Sequence, residues 1–231
     1  MIDWIASMAA VPIATNVRNA VLASRERFWK PEAFPGAPLS VAKALSRLEK
    51  VGELRRIRRG LYWRGVVTPL GMAPPSAMKL TKELVGTRGV GPAEGSAALA
   101  LGLSTHVPRR VTVAVPGRVP KSPVETVRLV SRSASTKRLD ERLRSAEVAL
   151  LEVLRDWDRY VDEPTPEAFD RIGHLIEDGA IRVARVVAAS ETEPARSRNR
   201  LRSLLRALGL DDAAESVPPA RNGQLSEPQA A

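Results

Sequence analysis

The chain has no cysteine, which excludes disulfides and thiolate zinc sites. Aromatic residues are scarce too, with four tryptophans, two tyrosines and three phenylalanines in 231 residues. The core must therefore rest mainly on Ala, Val and Leu, and any exposed aromatic gains weight as a binding group. Only two histidines exist, so imidazole chemistry has little to work with. His106 precedes Val107 and Pro108 in a loop, and His174 lies in a helical run without a ligand partner at i+4; both are expected to be structural. No stretch approaches the roughly 18 apolar residues of a membrane span. The apolar start, Met1 to Ala14, carries Asp3 where a secretory signal has a basic leading region, so the cytoplasm is the expected compartment.

Acidic residues are in short supply on one side of the chain only. Residues 1–135 hold 21 Lys and Arg against 8 Asp and Glu, whereas residues 136–231 hold 15 against 18. Biased genome composition raises arginine everywhere but does not explain this asymmetry. A front half with unbalanced positive charge implies an acidic partner.

The local pattern there is helical. From Asn16, the apolar positions Val17, Ala20, Val21 and Phe28 recur at helical spacing and predict a first helix. Pro31 can open a short second helix, "PEAF", closed by Phe34, Pro35 and Gly36. From Pro38, the set Val41, Ala44, Leu45, Leu48 and Val51 follows the i, i+3, i+4, i+7 template until Gly52 ends it. The other side of this third helix carries Ser40, Lys43, Arg47 and Lys50 as one basic ribbon. Two strand-like pieces follow, Leu54 to Ile57 and Leu61 to Trp63. Arg58, Arg59 and Gly60 separate them, the glycine suited to the positive φ of a tight hairpin.

Three helices and a basic hairpin predict a winged helix-turn-helix over residues 1–65. Its third helix would aim Ser40, Lys43 and Arg47 at base edges in the major groove, with Lys50 completing the ribbon. Arg55, Arg58, Arg59 and Gly60 of the hairpin would reach the phosphates. Of Tyr62 and Trp63, strand alternation sends one to the core and leaves the other available to a partner.

The segment "VAKALSRLEKVGELRRIRRGLYWRG" resembles the N-terminal winged helix of the AbiEi-type antitoxins. "GPAEGSAALALGLSTHVPRRVTVAVPG" is similar to the middle segment of that family, and "SAEVALLEVLRD" and "EPARSRNRLRSLLRALG" to its C-terminal helices. The likeness spans about residues 14–210 and is motif-like only in the winged helix. It implies an antitoxin that represses its own toxin–antitoxin operon and opposes a nucleotidyltransferase toxin in bacterial phage defence. Double-stranded operator DNA, as an inverted repeat, and the toxin are the implied partners, with the toxin opposed with or without a stable complex. A stand-alone winged-helix regulator and a DNA-processing enzyme are the alternatives. One departure is that Ala37 and Pro38 stand where a Ser, Thr or Asp helix cap is expected.

Beyond the hairpin, the Pro- and Gly-rich "GVVTPLGMAPPS" predicts a boundary, and residues 66–135 a small α+β unit. Helices are expected over Ala77 to Val85 and Ala93 to Leu101, the latter stopped by Gly102. Strands are expected over Val111 to Val115 and Val124 to Val130, joined by a loop with Arg118 and Lys121. "GVGPAEG" lacks the Lys-Ser/Thr pair of a phosphate loop. Residues 136–210 predict a separate helical domain, in which Leu143, Ala146, Leu150, Val153 and Leu154 line one face. Residues 211–231 lack periodicity and are expected to be a disordered tail. Asp156, Asp158, Asp162 and Glu163, interleaved with Arg155 and Arg159, fit a salt-bridged surface better than a metal site. No nucleophile–base pair is evident, so no catalytic, metal or cofactor residue is expected. The fold class expected is α+β, mainly helical.

Overall fold

The computed structural model describes residues 12–119 and 127–219. The expectations for the first eleven residues, for Lys121, for the strand start at Val124 and for the tail from residue 220 lie outside the described residues. The chain divides into two compact units, Met1–Leu80 and Thr81–Ala231. Helices predominate over a few small sheets, a mixed α+β and mainly helical architecture.

In the first unit, α1 (Ile13–Leu22) buries Val17 and Val21. It ends six residues short of Phe28. Ser24 is the reason: its Oγ donates to the Val21 carbonyl at 2.7 Å and accepts from the Trp29 indole N–H at 3.1 Å. Glu26 then takes a positive φ of 50° and turns the chain into β1 (Arg27–Trp29). The expected "PEAF" helix is a single 3-10 turn, Pro31–Ala33, because Phe34 returns to extended backbone and stacks on Trp29, centroids 4.9 Å apart.

The helix α2 (Pro38–Lys50) buries Val41, Ala44, Leu45 and Leu48. Its end is fixed by Gly52 at φ 78°, after which the Glu53 N–H returns to the Leu48 carbonyl at 2.9 Å. Then come β2 (Arg55–Arg58) and β3 (Leu61–Arg64), turning at Gly60 with φ 76°. The sheet order is β1-β3-β2, all antiparallel, with Phe28 opposite Trp63 and Trp29 opposite Tyr62. Helices and sheet meet over Val17, Val21, Trp29, Val41, Leu45, Leu54 and Tyr62.

Both Tyr62 and Trp63 are buried, at 5% and 1% exposure, so neither is left for a partner. Alternation still holds, but β3 is the central strand and both of its faces are covered. Tyr62 joins the helical core, while Trp63 meets Phe28 at 4.7 Å and donates its indole N–H to the Ala73 carbonyl at 2.9 Å. The stretch expected as a boundary supplies that carbonyl. It forms a small hairpin, β4 (Val67–Thr68) and β5 (Gly71–Met72), so the first unit continues past residue 65. The helix α3 (Ala77–Val85) carries the division between the units.

In the second unit, β6 (Gly91–Pro92) runs into α4 (Gly95–Ala100). It pairs antiparallel with β7 (Val111–Val115), which pairs parallel with β8 (Val127–Ser131). The helices α5 (Lys137–Asp140), α6 (Ser145–Arg155), α7 (Trp157–Tyr160), α8 (Thr165–Glu177), α9 (Val183–Ala189), α10 (Ala195–Ala207) and α11 (Asp211–Glu215) follow. The expected break at residue 135 is not a break in packing. Ala93, Ala97, Leu101 and Ala114 share one hydrophobic core with Val148, Leu151, Ile172 and Leu204. Its centre is α6, buried on every side from Glu147 to Leu154 and not on one face only. Residues 211–219, expected to be part of a disordered tail, are ordered, since α11 places Ala214 and the following Val217 in the same core. Three apolar residues, Ala213, Ala214 and Val217, in a polar segment are too few to show a period, yet enough to anchor one short helix.

Candidate nucleic-acid interface

Successive residues of an α-helix point about 100° apart. Ser40, Lys43, Arg47 and Lys50 therefore fall in an arc of about 80° on α2, directed away from Val41, Ala44, Leu45 and Leu48. All four are exposed. The core residues thus fix which way the basic ribbon faces. Burial of that apolar stripe stabilises the unit by roughly 1.5–3 kcal/mol for each large aliphatic side chain.

The hairpin adds Arg55 and Arg59, exposed, Arg58, half-buried, and Gly60 at its turn. It also adds Arg56, which the sequence reading missed. Alternation along β2 sets Arg56 opposite Arg55, and a residue facing the core would be covered. β2 is instead an edge strand, with an irregular register between Arg56 and Arg58, and both Arg55 and Arg56 reach solvent. The run of arginines itself was the available signal.

Lys43, Arg47, Lys50, Arg55, Arg56, Arg58 and Arg59 form no ion pair among the described residues. Arg64, one strand further on, shows the contrast: it meets the Glu53 carboxylate at 2.8 Å and the Glu53 carbonyl at 3.0 Å, tying β3 to the end of α2. Charge balance follows the same division. The first unit holds 13 Lys and Arg against 5 Asp and Glu, a net +8, and the second 23 against 21, a net +2.

In the second unit several arginines are tied to buried glutamates. Arg138 is wholly buried and donates to both Glu193 oxygens, at 2.6 and 2.8 Å, and to Glu152 at 2.7 Å. Arg132 clamps Glu152 and Arg155 reaches Glu193. Burial works against the Arg138 charge, but the Glu193 and Glu152 carboxylates more than offset it and raise its pKa. Burial likewise pushes Glu152 and Glu147 up, yet hydrogen bonds from Arg132 and Arg182 respectively, with further help from Arg138 and from the Arg144 backbone N–H, hold both below the usual carboxylate range.

The acidic run is divided among arginine and hydroxyl partners. Asp158 meets Arg196 and Arg200, Glu163 meets Arg171, and Asp162 accepts from Ser104. Among the described residues no cluster of three His, Cys, Asp or Glu is placed to hold a metal. His174 pairs with Glu177 on the surface, and the His106 backbone N–H donates to Ser104. No helix among the described residues is long and apolar enough to cross a membrane.

A solved structure shares this fold. It is that of the Rv2827c protein from Mycobacterium tuberculosis, at a TM-score of 0.51 and 16% sequence identity, covering 90% of this chain and 81% of that one. At that identity the likeness concerns backbone architecture and transfers no residue roles. No protein-family profile matches the chain. No curated protein matches it.

Proposed function

We propose that the chain is a cytoplasmic antitoxin and autorepressor whose first unit is a winged helix that binds double-stranded operator DNA. The observation that carries this reading is the row of seven cations on α2 and the β2–β3 hairpin, exposed or half-exposed and without carboxylate partners among the described residues, whereas the second unit ties Arg132, Arg138, Arg155 and Arg182 to glutamates. Unpaired guanidinium groups on adjoining elements repel one another and gain most from a regular row of phosphates, which releases counterions as they are neutralised. The order α1, β1, 3-10 turn, α2, β2, β3, with β3 between the other strands, supports a winged helix whose second helix is reduced to one turn. α2 is then the recognition helix and the hairpin the wing.

Opposition to a nucleotidyltransferase toxin rests on the AbiEi-like segments, of which the two C-terminal ones correspond to α6 and α10, elements of the second core. The test is co-expression of the chain with the nucleotidyltransferase reading frame adjacent to its gene. Growth restored by this chain, together with repression of a reporter driven by the shared promoter, is expected. Growth arrest unrelieved by the chain would remove the antitoxin assignment, and an unrepressed reporter would remove the autorepressor.

A further inference from the structure

The basic ribbon of α2 is headed by an apolar residue. Leu39 is 78% exposed and contributes nothing to the core, and the two residues before it, Ala37 and Pro38, are exposed as well. At about 100° per residue, Leu39 lies within about 20–40° of Lys50 and Lys43 around the helix, on the side turned from the core. It stands one helical turn, about 6 Å, from Lys43, close to the spacing of two base pairs. A leucine here costs exposed apolar surface and adds no cap. The helix starts without a side-chain cap, and Pro38 presets its first turn while removing one orphan donor.

In the winged-helix reading, on which this inference rests, the N-terminal end of the recognition helix meets base edges in the major groove. Most features there are hydrogen-bond donors and acceptors, and an aliphatic side chain can satisfy none of them. The apolar exception is the thymine C5-methyl group. We propose that Leu39 is a specificity-determining residue that packs on a thymine methyl, so that each operator half-site carries a thymine about two base pairs from the position met by Lys43. The apolar tip Ala37–Pro38–Leu39, out of place as a helix cap, is then a methyl-reading surface.

Deoxyuridine differs from thymidine by that methyl group alone. The full chain is used to select binders from a pool of duplexes with a randomised 24-base-pair core. The enriched duplex is then remade with each half-site thymine replaced in turn by deoxyuridine. Wild type should lose about fourfold in affinity at one thymine per half-site, the effect expected for burying one methyl group. Leu39→Ala should bind thymine and deoxyuridine duplexes alike at that position while keeping its affinity for random duplex; Leu39 is outside the core, so the variant should fold as wild type. A wild type indifferent to every replacement, or a Leu39→Ala chain that still discriminates, overturns the inference while DNA binding stands. Binding without any enriched sequence overturns it in the same way. No binding to any duplex removes the DNA-binding reading and this inference with it.

Discussion

The Trp63 indole N–H reaches across to the Ala73 carbonyl, and Gly65 lies between the two. A Cβ on Gly65 would stand 2.4 Å from the Ala73 oxygen and 2.5 Å from Trp63 Nε1. β3, the central strand of the first sheet, is therefore buttressed by the hairpin that follows it. Gly65→Ala is expected to destabilise the first unit by about 1–3 kcal/mol, the usual range for forced overpacking. Urea unfolding followed by tryptophan fluorescence checks this, and an unchanged midpoint would mean that the β4–β5 hairpin moves aside at little cost.

The two kinds of arginine in this chain should respond differently to loss. Arg138 is enclosed with Glu193 and Glu152, so Arg138→Ala leaves buried carboxylates short of a partner and is expected to cost about 3–5 kcal/mol. Arg171, paired with Glu163 at the surface, should cost under about 1 kcal/mol when replaced by alanine. Equal losses for the two variants in chemical denaturation would show that the buried network adds nothing to stability.

Acid should unfold the second unit through its glutamates. Glu147 and Glu152 are held below the usual carboxylate range in the folded chain, so the unfolded state binds their protons more readily. Their contribution is present above the unfolded value of about 4.3 and is lost as pH falls through the folded values. Unfolding free energy measured from pH 7 down to pH 3 is expected to fall below about pH 4. In Glu152→Gln the fall should be shallower, and an unaltered slope would move the acid sensitivity elsewhere.

Around the candidate site, the helix period was readable in the sequence because one feature controls it. The apolar stripe Val41, Ala44, Leu45 and Leu48 is regular and Gly52 supplies the stop, but Val51, expected in the same stripe, follows the end of α2 at Lys50 and is 71% exposed. Phe28 misled because nothing between Leu22 and Arg27 is a strong breaker. The helix is ended by the hydrogen bonds of Ser24, one of which depends on Trp29 being already in place. Tyr62 and Trp63 misled because alternation presumes one wet face, and the cover on Trp63 comes from Phe28 and from Ala73, the latter ten residues away. Pairing was not legible at all. The row of cations is in the sequence, but that Arg64 finds Glu53 while Arg55, Arg56, Arg58 and Arg59 find no carboxylate among the described residues depends on the hairpin register.

Base-facing and phosphate-facing groups should be separable by sequence dependence. Lys43→Ala or Arg47→Ala is expected to cost on the order of 1–3 kcal/mol on the selected operator, with little change on random duplex. Competition between labelled operator and unlabelled random DNA measures this margin. Equal weakening on both duplexes would place the α2 ribbon on the backbone instead of the bases.

The arginine cluster of the β2–β3 hairpin provides the most direct measurement of the proposed central claim that the cations without an ion pair among the described residues neutralise phosphates. Affinity of the full chain for operator and scrambled duplex is titrated against salt, for wild type and for Arg58→Ala/Arg59→Ala. Each phosphate contact removed should lower the slope of log affinity against log salt by roughly 0.9, so the double variant should be shallower by up to about 1.8 and weaker on both duplexes. A double variant with the slope and affinity of wild type would contradict the claim and leave the cluster to some other acidic surface.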